Sequence, residues 1–462
     1  MKHVHLIGIG GTGLSAIAQV LLEQGFTVSG SDREASPLFN AVSAKGAHTF
    51  LGHDPENVTG AHLVIRSSAI PDDNPEVTAA LGHGIPVLKR REFLKELTKG
   101  KHTLAVAGSH GKTTTTGMLI WILHSLDQDP SFILGGIVSQ LACNARAGTG
   151  RYFVIEADEY DHMFLGLAPT IAIITNIEHD HPDCFPTPDE YRAAFQAFLE
   201  RVLPDGKTLM CLDDSETHAL FTQQNSQQPR LLGYGTSTDA NYIADSIALN
   251  DGFYQFDLIY QNGNGWQKHL GRVKLNVPGR HNILNATAAL GAIHQLDLSL
   301  PGAIQAIGEF SGTGRRFEIL GEADGVTIID DYGHHPSEIA ATLEAAHSRY
   351  PGRRVWAIWQ PHTYTRTQNL AQGFAQALDL AEKVLVLKIY AARETDPGYS
   401  AEVIAQALPP GKANYTPNFD LATEYLINNL ASGDIAIIFS AGDATQLSQM
   451  VVSKLRQQER GS

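Results

Sequence analysis

The chain has 462 residues, and at roughly 100 to 200 residues per domain this length points to about three domains, each able to bury its own core. Hydrophobic residues make up 43% and charged residues 18%, the balance of an ordinary globular chain and not of a disordered or collagen-like one. With 34 basic against 49 acidic residues the formal charge is −15, which argues against a surface that tracks nucleic acid or anionic lipid, so any phosphate must be held locally.

Short apolar runs bounded by glycine alternate with helical patterns along the chain, the signature of parallel sheets in α/β domains. Strands are expected at His3 to Ile9, Thr27 to Ser31 and Leu63 to Ser67, with helices beginning near Gly13, Pro37 and Pro75. The helical stretch Arg91 to Thr98 and the polar residues after it read as a connector. A second unit opens with a strand at Thr103 to Ala107 and a helix from Lys112, followed by strands at Ser131 to Leu134, Tyr152 to Ala157 and Thr170 to Asn176. Between about Leu212 and Arg280 the alternation gives way to polar, glycine-rich and short β-like segments. A third unit follows the turn at Gly312 to Arg316, with strands at Val326 to Asp330, Arg354 to Trp359, Lys383 to Ile389 and Asp434 to Phe439. Its helices are expected from Pro336, from Gln368 and near Ser400 and Leu421. This is again a doubly wound α/β pattern, and the expected domains are 1–98, 99–310 and 311–462.

Cys143, Cys184 and Cys211 form no CxxC pair and are odd in number, which argues for a reducing compartment and against a disulfide framework or structural zinc. The first residues are too glycine-rich for a signal peptide, and no run of about 18 apolar residues occurs. The cytoplasm is the expected location.

Gly8, Gly10 and Gly13 form GxGxxG between an expected strand and helix, and Asp32 ends the next strand, where a ribose contact belongs. Backbone amides at that helix start would hold a diphosphate. The plain alternative is a tight turn with no ligand. A sharper signal is AVAGSHGKTTTT, in which Gly111, Lys112 and Thr113 open a helix directly after a strand ending at Gly108. Glycines let backbone N–H groups wrap a triphosphate, lysine neutralises its oxygens and a threonine hydroxyl ligates Mg²⁺. Val106 stands where the usual first glycine of such a loop would be.

Downstream, EADEYD supplies Glu156, Asp158, Glu159 and Asp161, and NIEHDHPD supplies Asn176, Glu178, His179, Asp180, His181 and Asp183. Carboxylates at the C-terminal ends of parallel strands beside a phosphate loop are expected Mg²⁺ ligands, though most of these charges must be solvated or capping residues. GRHNILNATAAL puts His281, Asn282 and Asn285 at a helix start, where they could cap it or contact a base. DDYGHHPSE and WQPHTYTRT place Asp331, His334, His335, His362 and Arg366 at the ends of two strands expected to be neighbours, converging on one crevice suited to a small anionic substrate.

These motifs in this order resemble the Mur ligase family of peptidoglycan synthesis. The likeness covers nearly the whole chain, from GIGGTGLSAIA and SSAIPDDNPE through GSHGKTTTT, EADEYD, TNIEHDH and GRHNILNA to GRRFE, DDYGHHPSE and QPHTYTRT. It implies an N-terminal Rossmann-like domain for a UDP-sugar, a central P-loop ATPase-type α/β domain with a parallel sheet, and a C-terminal Rossmann-like domain for an amino acid. ATP and Mg²⁺ are implied as cofactors. UDP-N-acetylmuramate and L-alanine are the implied small-molecule substrates, since the motifs sit closest to the alanine-adding branch, with neither nucleic acid nor membrane as partner and a monomer or homodimer as the assembly.

By the same resemblance, the ATP site takes Gly108, Ser109, His110, Gly111, Lys112, Thr113 and Thr114, with His281, Asn282, Asn285 and Arg316 near the nucleotide. Asp331, Tyr332 and His335 would bridge the ATP and amino-acid sites. Thr113, Glu156 and His181 would surround magnesium. Gly8, Gly10, Gly11, Thr12, Gly13, Asp32, Ser67 and Ser68 would cradle the UDP, with His110, Asn176, His335, His362 and Arg366 on the reacting substrates. Lys112, His335 and Arg366 are the implied catalytic residues, Arg366 as the clamp for the amino acid's carboxylate. Where other Mur branches carry a carbamylated lysine this chain has Phe195, and where some alanine-adding relatives have arginine it has Thr363, which leaves Arg366 more alone. Competing readings are the related tripeptide-recycling ligase, an NAD-dependent dehydrogenase suggested by the two Rossmann-like units, and a P-loop switch or motor.

Overall fold

A computed structural model describes residues 2–225, 230–262 and 265–461. Three sheets follow one another along the chain. The first has β1 (His3–Ile7), β2 (Thr27–Asp32), β3 (His48–Leu51), β4 (Leu63–Arg66) and β5 (Val87–Lys89), in the order β3-β2-β1-β4-β5 with every pair parallel. Its chain reverses direction of growth at β1, and the crevice beyond the C-terminal end of β1 is where such a sheet offers a ligand site. The helix Thr12–Glu23 starts there.

The second sheet contains β6 (His102–Ala107), β7 (Ser131–Val138), β8 (Cys143–Arg146), β9 (Tyr152–Glu156), β10 (Ile171–Ile174), β11 (Lys207–Cys211), β12 (Leu231–Gly235), β13 (Tyr242–Asn250), β14 (Phe253–Gln261) and β15 (Gln267–Lys274). Their order is β15-β14-β13-β12-β11-β10-β6-β9-β7-β8. β6 lies at the centre of the parallel part, between β9 and β10, and its run LAVA is fully buried, as a strand covered on both faces requires. The long stretch without α/β alternation after Leu212 holds the helix Ser215–Asn225 and then the strands β12 to β15.

The third sheet contains β16 (Glu318–Ala323), β17 (Val326–Asp331), β18 (Val355–Trp359), β19 (Lys383–Leu387), β20 (Ala413–Thr416) and β21 (Ile435–Phe439), in the order β16-β17-β21-β18-β19-β20. The strands expected to be neighbours, β17 and β18, are not. β21, last in sequence, pairs with both in parallel register and separates them. Pairing across 80 and 108 residues is set by packing of whole layers and has no local signature. The helix expected from Gln368 begins earlier, at Tyr364, and breaks at Leu370 before a second helix, Ala371–Leu378.

By internal packing the chain forms two compact units. One comprises Met1–Ser246, Phe256–Val273 and Leu284–Phe310, and the other Ile247–Gln255, Lys274–Ile283 and Ser311–Ser462. Within the first unit the first two sheets share one apolar core, which includes Ile17, Leu21, Phe93 and Leu97 together with Phe153, Phe164 and Ile174. Hydrogen bonds from Gln19 Nε2 to the Ala145 carbonyl and from the Ala147 amide to Glu23 add to this joint. The other unit has its apolar clusters on the two faces of the third sheet. Cys211 is buried, and Cys143 and Cys184 are half-buried and free. Among the described residues no helix is long and apolar enough to cross a membrane.

Candidate functional site

The glycine loop after β1 is braced from beneath. The amides of Gly8 and Ile9 donate to the Ser31 carbonyl, at 2.8 and 3.1 Å. Asp32 accepts from the Gly10 and Arg33 amides at 2.9 and 2.7 Å, so its carboxylate here fixes the loop at the place where a ribose contact was expected. Gly11 precedes the helix that Thr12 and Gly13 open. A Cβ on Gly13 would fall 2.3 Å from Nη1 of Arg90. That guanidinium packs across the helix start and faces the charges of Asp158, Asp161 and Glu156. Ser67 lies against Gly8. Ser68 lines a cavity of about 120 Å³ with Lys89, Arg90, Arg91, Asp161 and Met163.

The loop Gly108–Thr113 joins β6 to the helix Lys112–Ser125. Both glycines are obligatory on geometry. Gly108 has φ +135° and a Cβ there would sit 2.0 Å from Thr175 Oγ1, while Gly111 has φ +80° and a Cβ would sit 2.7 Å from Asn285 Oδ1. Asn176 braces the loop, its Oδ1 accepting from the His110 amide at 2.8 Å. Ser109 Oγ donates to the Glu178 carbonyl at 2.7 Å, and the His110 ring meets Glu178 at 2.8 Å. Thr113 Oγ1 donates to Glu156 Oε1 at 3.0 Å, and the other oxygen of Glu156 accepts from the Gly135 amide. Thr114 follows, half-buried.

Lys112 bonds both oxygens of Glu159, at 2.8 and 3.0 Å, and the Gly108 carbonyl. Burial would depress the lysine's pKa, but the charges of Glu159 and Asp158 outweigh it and hold the amine above its ordinary value, protonated. Glu159 is 1% exposed and also meets His181 Nε2 at 3.8 Å and the buried Tyr191 hydroxyl at 3.2 Å. Lys112 and His181 thus meet at Glu159, and Thr113 meets Glu156 at the end of β9, three residues before it. Within EADEYD the sequence offers four acids and no local cue to which of them the lysine takes.

In the unit built on the third sheet, Asp331 is buried at the end of β17 and its oxygens accept from the Phe317 and Gly333 amides at 2.8 and 2.7 Å. Burial pushes its pKa up to about 6, with Arg316 pulling the other way. Arg316 contacts Glu338 at 3.3 Å and lies over the Tyr332 ring. His335 is buried and caps the helix Pro336–Arg349, its ring accepting from the Ser337 amide. His334 and His362 approach with ring centroids 6.1 Å apart, and Arg366 Nη1 lies 3.3 Å from His362 Nδ1. His334, His362 and Arg366 therefore lie close together although β21 intervenes. Gln360, buried just beyond β18, ties this segment to the loop after β21, bonding Asp443, Ser440 Oγ and the Ala444 amide. Asn282 donates to the Pro278 carbonyl and His281 beside it is exposed.

Three family models match consecutive stretches: the Mur ligase family catalytic domain over residues 3–102, the Mur ligase middle domain over 106–293 and the Mur ligase glutamate ligase domain over 315–442. The chain belongs to the Mur ligase family. A UDP-N-acetylmuramate–L-alanine ligase of Solibacter usitatus is 40% identical over all of this chain and 97% of its own length, and one of Syntrophus aciditrophicus is 39% identical over 99% and 95%. Among solved structures, the UDP-N-acetylmuramate–alanine ligase MurC of Thermotoga maritima superposes with a TM-score of 0.82 at 27% identity, covering 99% of this chain and all of that one. A murein peptide ligase of Psychrobacter arcticus gives 0.72 at 25% identity, with 99% of each chain covered.

Within this Mur ligase Arg90 and Gln360 escaped sequence reasoning, and Glu159 was one of several candidate metal carboxylates with no partner assigned to it. Glu159 holds the phosphate-loop lysine, Arg90 lies across Gly13, and Gln360 anchors the strand end that carries His362. For Gln360 a signal was present, a polar side chain directly after the wholly apolar run VWAIW. Phe195 is fully buried among Tyr191 and Phe164.

Proposed function

We propose that this chain is an ATP-dependent ligase that joins L-alanine to the lactyl carboxylate of UDP-N-acetylmuramate. The observation that carries the reading is the meeting of Lys112, Thr113, Glu156 and Glu159 at one phosphate loop, in a chain aligned end to end with alanine ligases. The donors suit the implied groups. The positive φ of Gly108 and Gly111, where a Cβ would collide with Thr175 and Asn285, sets the backbone of the loop, and a hydroxyl beside a carboxylate offers the hard oxygens that Mg²⁺ takes. In this proposal Gly108 to Thr114 hold the phosphates, Thr113, Glu156 and His181 surround the metal, and Asn285, His281, Asn282 and Arg316 serve the nucleoside side. Bound magnesium would spread the charge of the transferring phosphoryl group.

In the proposed reaction, a carboxylate oxygen of the muramyl lactate attacks the γ-phosphorus of ATP, the β–γ bond breaks and ADP leaves, giving an acyl phosphate. Lys112 stabilises the charge on the transferring oxygens. The free amine of alanine then attacks the carbonyl carbon, the C–O bond to phosphate breaks and inorganic phosphate departs as the amine loses its proton. Arg366 and His362 are assigned to the alanine carboxylate, with His335, Asp331 and Tyr332 beside the reacting groups. The glycine loop Gly8 to Gly13, Asp32, Ser67 and Ser68 are assigned to the UDP portion, and His110 and Asn176 to the muramyl carboxylate. The proposed setting is the cytoplasm, where ATP is supplied.

The likeness to a murein peptide ligase favours one second reading, ligation of a preformed peptide. Phosphate release from ATP and Mg²⁺ with UDP-N-acetylmuramate, comparing L-alanine, glycine, L-serine and the tripeptide L-Ala-γ-D-Glu-diaminopimelate, separates them when product masses are recorded. Release driven by alanine with an alanyl product is expected. Preference for the tripeptide would select the second reading, and no stimulation by any acceptor would end both.

A further inference from the structure

The segment that presents His362 and Arg366 is held from outside by a loop that the proposed reaction has not used, Tyr390 to Glu394. The Tyr390 amide donates to the Pro361 carbonyl at 2.8 Å and the Thr363 amide donates to the Tyr390 carbonyl at 2.9 Å. These two bonds straddle His362, which forms an isolated parallel bridge with Tyr390. The Tyr390 ring stacks on the His362 ring, centroids 5.7 Å apart at 25°. On the far side of the turn, one oxygen of Glu394, Oε2, accepts from the amides of both Tyr364 and Thr365, at 2.6 and 3.0 Å.

Those two amides begin the helix Tyr364–Asn369 that carries Arg366. Amides at a helix start have no partner within the helix, and Thr363 before them has no side-chain capping bond, because its φ of +64° turns the chain the wrong way. Glu394 therefore does the capping from another strand connection. The guanidinium of Arg366 can only donate, so the 3.3 Å contact makes His362 Nδ1 an acceptor and leaves the ring proton of neutral His362 on Nε2. Orientation of both side chains thus depends on where the turn sits, and the turn is set by Tyr390 and Glu394.

We propose that Glu394 is a positioning residue for the amino-acid subsite, fixing the turn that aims Arg366 and His362 at the incoming carboxylate. This rests on the ligase reading above. Its carboxylate fills the helix start, so a substrate carboxylate is left to the arginine and not to those amides. A single oxygen makes both bonds, and a glutamine carbonyl can replace it without the charge.

The test is steady-state phosphate release by the full chain, with alanine, ATP and UDP-N-acetylmuramate titrated in turn. Glu394→Ala is expected to raise the alanine KM at least tenfold while the other two KM values stay within twofold, and Glu394→Gln is expected to return the alanine KM to within threefold of the parent. Glu394→Asp, which withdraws the acceptor by one methylene, gives the same direction should the alanine variant not fold. An unchanged alanine KM in Glu394→Ala and Glu394→Asp, an equal rise in all three KM values, or a Glu394→Gln variant as impaired as Glu394→Ala would overturn the assignment. The parent chain is the control on the reading beneath it: if alanine stimulates no phosphate release there, the ligase reading fails and this inference with it.

Discussion

The amine of Lys112 is chelated by both oxygens of Glu159, at 2.8 and 3.0 Å, in a place where Glu159 is shut off from solvent. A buried pair of this kind adds little net stability, yet breaking it from one side leaves an uncompensated charge, at a cost of about 3 to 5 kcal/mol. Lys112→Met should therefore lose phosphate release and also lower the unfolding midpoint. Adding Glu159→Gln should recover much of the stability and none of the activity. A double variant as unstable as the single one would show that the pair is not self-compensating.

Gly13 is required by Arg90 as well as by the turn. An added methyl would lie 2.3 and 2.4 Å from Nη1 and Cζ of that guanidinium, whose Nε is closed off from solvent and which faces three carboxylates. Gly13→Ala is expected to cost about 1 to 3 kcal/mol in denaturant unfolding, the usual range for overpacking, and to raise the KM for the UDP-sugar. Combining it with Arg90→Ala should return part of that stability. Wild-type stability in Gly13→Ala would mean that Arg90 swings aside without penalty.

Glu76 is wholly buried in the first sheet's layer and takes hydrogen bonds from Ser31 Oγ at 2.5 Å and Asn57 Nδ2 at 2.6 Å, with the His53 ring at 3.1 Å. Burial alone would raise its pKa, but the His5 ring 3.8 Å away and the bonds from Ser31 and Asn57 outweigh that and hold it at about 2, against 4.5 unperturbed. The folded state thus releases this proton more readily than the unfolded one. The resulting stabilisation, about 3 kcal/mol by linkage, is complete above pH 4.5 and lost as pH falls from there through 2. Urea unfolding at stepped pH should show this slope in the parent and a shallower one in Glu76→Gln.

Thr363 holds φ +64° and ψ 147° with a β-branched side chain, a conformation that costs about 1 to 3 kcal/mol. Glycine there relieves the strain but adds freedom to the unfolded chain. Thr363→Gly is expected to raise stability by about 1 kcal/mol while raising the alanine KM. A stability loss would show that the threonine's contacts outweigh the backbone strain.

The phosphate loop was legible in the sequence because its glycines, lysine and threonine act through backbone geometry within one turn, where spacing is the chemistry. The nearness of His334, His362 and Arg366 was legible in the sequence and its layout misread, since the insertion of β21 between β17 and β18 follows from pairing over long sequence separation. Of the strands of three or four residues, β4 and β10 were legible, whereas β3, β5, β8 and β20 were not. Glu159, Arg90 and Gln360 owe their roles to partners far away in sequence, and a run such as EADEYD does not say which acid turns inward.

The apolar core common to the first two sheets bears on how the molecule could be dissected. Ile17, Leu21, Phe93 and Leu97 are packed in the same cluster as Phe153 and Phe164, so a fragment cut near residue 98 would carry a bare oily face in place of an interior. Such a fragment is a poor stand-in for screening compounds against the glycine loop: it would self-associate, and hits found on it would report that sticky face more than the loop.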